Sequence, residues 1–105
     1  MLLFIKTKTA VATGEYLPDE KIFTVKKGSR VFEEISYSAT FRGATTVEKY
    51  RAQYVRDGKV VSDAVFKSPS TAANFVTGRS TNGLAAWRDE NGVSLKELLT
   101  KQGCH

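Results

Sequence analysis

The chain has 105 residues, roughly what one domain with a single hydrophobic core requires. A hydrophobic fraction of 41% and a charged fraction of 26% argue against a disordered chain, and one histidine with one cysteine leaves too few ligands for a zinc site. The formal net charge of +5 permits a polyanionic partner without demanding one.

Met1 to Ile5, the longest apolar run, falls well short of the ~20 residues of a membrane span, and no basic region precedes it as in an export signal. A cytoplasmic protein with no membrane contact is therefore expected. Leu2 to Thr7 reads as a strand, and Thr9 to Thr13 as a second that Gly14 ends. Tyr16 to Glu20 reads as a loop punctuated by Pro18 and Asp19. Ile22 to Val25 is rich in strand formers, Lys26 to Ser29 reads as a turn, and Arg30 to Phe32 as a returning strand. Ser36 to Thr46 has no clear period and reads as a loop.

Tyr50 to Arg56 alternates, with Tyr50, Ala52 and Tyr54 on one side and Arg51, Gln53 and Val55 on the other, so a strand with Arg51 facing outward is expected. Asp57-Gly58 then marks a hairpin, with Lys59-Val60-Val61 returning toward Phe66. Ser68, Pro69 and Gly78 are an N-cap, a first helical position and a helix stop, placing a helix over 69–77 with Ala72, Ala73 and Val76 on its apolar stripe. Asn82-Gly83 and Asn91-Gly92 read as turns, with Leu84 to Trp87 a short apolar segment between them. Ser94 and Glu97 form a capping box for a short helix over 94–101. Strands followed by helices predict an α+β fold: an antiparallel sheet of about four to six strands with the 69–77 helix and the C-terminal helix packed on it. Residues 1–102 form the single expected domain, and 103–105 a disordered tail.

Catalytic constellations are missing. Cys104 and His105 adjoin at a terminus, and adjacency is not a nucleophilic pair, which needs the base aimed at the sulfur in a fixed pocket. No phosphate-binding loop or nucleophile elbow is present. Glu33 and Glu34 would point to opposite faces of a strand, and Asp89-Glu90 lies beside a turn. These features predict a protein that is not an enzyme and takes no cofactor or metal. Residues 1–31 and 49–67 each carry +3 while 32–48 carries −2, a pattern expected if one face of a sheet is basic.

Phe66, Ser68, Pro69, Ser70, Ala72, Ala73, Gly78, Asn82, Gly83 and Trp87 together resemble the signature of the DUF4357 family. That family is similar to the RAMA (restriction-system adenine-methylase associated) domain. Asn91 to Leu95 resembles its closing segment with Asn91 in place of an acid, and Phe23 to Ser29 and Arg56 to Lys59 resemble upstream stretches. Residues 36–48 match nothing in the pattern. The resemblance implies nucleic acid, since such domains sit beside nuclease, restriction or DNA-methylase components, and RAMA-type modules have been proposed to recognise DNA, including methylated adenine.

The expected function is a non-catalytic nucleic-acid-binding module for double-stranded, potentially modified, DNA, working beside a nuclease or methylase partner. Arg79, Arg88 and Lys67 would engage phosphates around a helix start where Ser68 and Ser70 offer hydroxyls. Asn82 would read an adenine edge, and Trp87 would stack on a base. Each has a plainer reading. Ser68-Pro69-Ser70 is a good helix start, Asn82 a turn residue, Trp87 a core anchor, and the arginines a solvated face. The alternative function is a protein-interaction module docking through an exposed strip at Leu84 and Trp87. A hydrolase or nuclease fragment is disfavoured by the missing acid, base and metal groups.

Overall fold

The computed structural model describes residues 1–32, 35 and 44–103. Its elements are β1 (Leu2–Lys6), β2 (Val11–Leu17), β3 (Ile22–Val25), α1 (Ala44–Tyr54), β4 (Val55–Arg56), β5 (Lys59–Val60), β6 (Ala64–Phe66), α2 (Pro69–Thr77), α3 (Gly83–Ala86) and α4 (Leu95–Gly103). The fold is α+β. Strands β1-β2-β3-β6 form an antiparallel four-stranded sheet, and β4-β5 a separate two-stranded hairpin.

One face of the sheet supplies the core. Leu3, Ile5, Ala12, Phe23, Val25, Ala64 and Phe66 alternate along the strands and are buried against Ala72, Ala73, Phe75 and Val76 of α2. The alanines let α2 lie close to the sheet. Phe66 packs against Phe75 with ring centroids 5.0 Å apart, and Phe23 against Trp87 at 4.4 Å.

Gly14 does not end β2, which runs on to Leu17 and takes in the expected loop residues Tyr16 and Leu17. A Cβ at Gly14 would stand 2.4 Å from the Phe23 ring and 3.1 Å from Trp87, so a bare backbone is what admits both rings. Arg30 to Phe32 forms no strand, only single bridges from Arg30 to Val11 and Lys59. The Asp57-Gly58 hairpin is present, with φ of 53° and 76° at the two turn residues as a type I′ turn requires. Its strands are only two residues long, however, and β6 belongs to the other sheet.

The largest correction is α1. The expected strand from Tyr50 is the end of an 11-residue helix, which also takes in Ala44 to Thr46 from the expected loop. The rest of that loop, Ser36 to Gly43, lies outside the described residues, as do Glu33 and Glu34. Val47, Tyr50, Arg51 and Tyr54 share a helix face at i, i+3, i+4 and i+7, and Arg51 is buried, not outward. Its Nε and Nη2 donate to Phe75 O at 3.0 and 2.8 Å, and Nη2 also lies 3.4 Å from Val76 O. These carbonyls belong to the last turn of α2, which has no helical N–H to receive. A guanidinium there satisfies them and complements the negative end of the helix. Gly78, at φ 74°, closes the same end by donating its N–H to Asn74 O.

Replacing Arg51 with Met is therefore expected to lower unfolding free energy by about 2 kcal/mol in urea denaturation, since hydrogen bonds to a charged group carry ~1.5–3 kcal/mol. Arg51→Lys should not restore it, because an ammonium lacks the planar fork that sets Nε and Nη2 together on Phe75 O. A loss below ~0.5 kcal/mol, the size of an ordinary surface change, would refute the clamp.

Candidate nucleic-acid interface

The first turn of α2 is tightly organised. Ser68 is its N-cap, in extended backbone, with Oγ accepting from Thr71 N at 3.2 Å and lying 2.9 Å from Thr71 Oγ1. Ser70 Oγ accepts from Gly83 N at 3.2 Å, and Trp87 Nε1 donates to Pro69 O at 3.0 Å. Asn82 caps α3, its Oδ1 accepting from Leu84 N at 3.0 Å, so Asn82-Gly83 starts a short helix where a plain turn was expected. A Cβ on Gly83 would stand 2.3 Å from Pro69 C and 2.4 Å from Ser70 N. The signature from Phe66 to Trp87 thus joins α3 to α2 by backbone contact, with Ser68 Oγ, Ser70 Oγ and the indole N–H each taking part in a hydrogen bond.

This geometry corrects three readings. Ser68 and Ser70 hold the helix start together and do not stand ready for an anion. Trp87 is fully buried, so no base stacks on it and the strip proposed for a protein partner loses its anchor. Lys67 is exposed at the start of α2, while Arg79 follows its end, about 13 Å away along nine residues at 1.5 Å each. The expected cluster of Lys67 and Arg79 around one helix start does not form.

Arg79 and Arg88 do come together. Both are exposed and line a groove of about 510 Å³, to which Phe4, Lys6, Thr77 and Thr81 also contribute. Thr81 N donates to Asn74 Oδ1 at 2.8 Å, and the Thr81 hydroxyl lies 2.7 Å from Thr77 Oγ1 and 3.1 Å from Arg79 O, fixing the backbone at Arg79. Arg88 pairs with Phe4 across the outer edge of β1, through Phe4 N to Arg88 O at 2.7 Å and Arg88 N to Phe4 O at 3.0 Å. Its Nη1 donates to Gly92 O at 3.0 Å. Asp89 and Glu90 are the acids on the groove, and Asp89 Oδ1 accepts from Asn91 N and Val93 N, both at 2.9 Å. Lys6, whose ammonium stands 5.4 Å from the Phe4 ring centroid, is the groove cation that sequence reasoning missed. The signal was its place in register with Leu2 and Phe4, visible once β1 is known to have an uncovered face.

Among the described residues, no buried side-chain nitrogen or oxygen lacks a partner, and no three His, Cys, Asp or Glu gather to hold a metal. Among the same residues, no helix is long and apolar enough to cross a membrane. Fold and site together define a small α+β domain with a groove beside one sheet edge, lined by three cations and two acids. The chain belongs to the DUF4357 family, described as a domain of unknown function, whose model matches residues 3–99. No curated protein and no solved structure matches it.

Two outcomes test the assignment of the signature to structure. Gly83→Ala is expected to cost about 3 kcal/mol in chemical denaturation, the upper range for forced overpacking. Trp87 emission should resist iodide quenching and stay unshifted when a DNA duplex is added; a shift would restore the stacking role.

Proposed function

We propose that this domain is a non-catalytic nucleic-acid-binding module. The observation that carries the reading is that Lys6, Arg79 and Arg88, from three different parts of the chain, line one groove. Cations lining one groove give salt-dependent, sequence-independent affinity for phosphates. The reading takes double-stranded DNA, modified or not, as the ligand, the cytoplasm as the location and a nuclease or methylase as the working partner. The last element rests on the resemblance to RAMA-type domains alone. Asn82, exposed at the start of α3, accepts from Leu84 N through Oδ1 and offers its amide NH2 for base contact.

Fluorescence anisotropy with a short labelled duplex, with and without N6-methyladenine, tests the reading at several salt concentrations. Wild-type affinity should fall steeply with salt. The double variant Arg79→Gln/Arg88→Gln should bind at least about tenfold more weakly and reduce the slope of log K against log salt by about 2, one unit for each phosphate no longer engaged. Absence of duplex binding by the wild type at low salt would sink the reading.

A further inference from the structure

The described helices pack on one face of the sheet. Along one margin of the other face, cross-strand pairing sets Lys6 beside Val11, Val11 beside Arg30, Arg30 beside Lys59 and Lys59 beside Arg56. All five residues are exposed. Their chain neighbours Ile5, Ala10, Ala12, Val31 and Val60 are buried, which puts Lys6, Val11, Arg30 and Lys59 on the outer face, and Arg56 joins them as the cross-strand partner of Lys59. The result is a row of cross-strand neighbours that crosses β1, β2, the 30-bridge, β5 and β4. Four strand spacings of about 4.8 Å make it about 19 Å long.

Four of the five side chains in this row are cations, and none is an acid. Arg30, Lys59 and Arg56 occupy successive cross-strand positions, where like charges oppose folding. The Lys26–Glu15 ion pair, 3.2 Å, lies outside the row. Asp57, in the hairpin turn, is the nearby acid and lines one hollow with Val11 and Arg30. Arg56 is fixed in place, its Nη1 donating to Ala52 O and Val55 O at 3.0 and 2.8 Å.

We propose that this row is a rail for the phosphate backbone of one strand of a duplex nucleic acid lying across the sheet at right angles to its strands. The proposal rests on the nucleic-acid reading of the groove and extends it, because Lys6 belongs to both surfaces. Each DNA strand places a phosphate every 3.4 Å of axis while winding around it, so a 19 Å rail spans the rise of about five or six phosphates and meets those turned toward the sheet. A single strand is a poorer fit, since single-strand sites stack bases on open rings. The row holds no aromatic, and the ring of Phe4 lies beneath the Lys6 ammonium.

The test uses the full chain with two variants of equal charge change. Arg30→Gln/Lys59→Gln removes the middle of the rail, and Lys49→Gln/Lys96→Gln removes two exposed lysines from α1 and α4. The rail variant should lose about tenfold or more in duplex affinity and about 2 in salt slope, while the other pair changes little. Relief of like-charge contacts means Tm should not fall in the rail variant. If both variants behave alike while Arg79→Gln/Arg88→Gln still weakens binding, the rail is refuted and the groove stands. Tighter binding to a single strand of equal length, abolished by the rail variant, would refute the duplex as occupant. Binding of wild type to phosphatidylserine vesicles but to no duplex would refute rail and groove together.

Discussion

The close approach of Gly83 to the first turn of α2 is the constraint on which the rest depends. With backbone atoms of Pro69 and Ser70 within 2.5 Å of where a Cβ would stand, only glycine lets α3 dock there. That docking aims Trp87 into the core, where its indole N–H meets Pro69 O and its ring meets Phe23. Trp87 in turn fixes the next residue, Arg88, against β1. A cation at the groove thus owes its position to a glycine five residues before it.

The parts of the fold set by local rules were legible. Ser68, Pro69 and Gly78 mark the bounds of α2 because caps act within one turn, and Asp57-Gly58 marks its hairpin because a type I′ turn demands positive φ at both positions. Helix α1 was misread because its buried face includes Arg51. An arginine at a core-facing position breaks the apolar 3.6-residue pattern and leaves the tyrosines to mimic a strand's alternation. What justifies burying it is the open end of α2, some 25 residues further on, and no local window contains that partner. Gly14 misled for a similar reason, since the rings that need its space come from Phe23 and Trp87.

The candidate site was legible in part. Arg79 and Arg88 were singled out from the sequence and do share a groove, but of the serines beside Lys67, Ser68 caps α2 through Thr71 and Ser70 ties α2 to α3 through Gly83 N. A strongly patterned segment is as well explained by a demanding backbone contact as by a ligand. Lys6, Arg30, Lys59 and Arg56 lie far apart in the chain and have no motif in common; cross-strand register alone aligns them. Arginine has two uses here. Arg51 is desolvated against helix carbonyls and serves stability, whereas the exposed arginines stand where a like charge opposes folding.

The bridge between Phe4 and Arg88 also bears on how copies of the chain meet. An open sheet has two margins at which unpaired N–H and C=O groups invite another chain to add a strand. Arg88 occupies the β1 margin at its midpoint, and the 89–93 loop, tied back by Asp89, fills the space beside it. The opposite margin is β6, three residues long, which offers a newcomer too few pairings to hold it. Edge-to-edge polymerisation is thus opposed at both ends of the sheet, leaving its broad outer face available to a ligand.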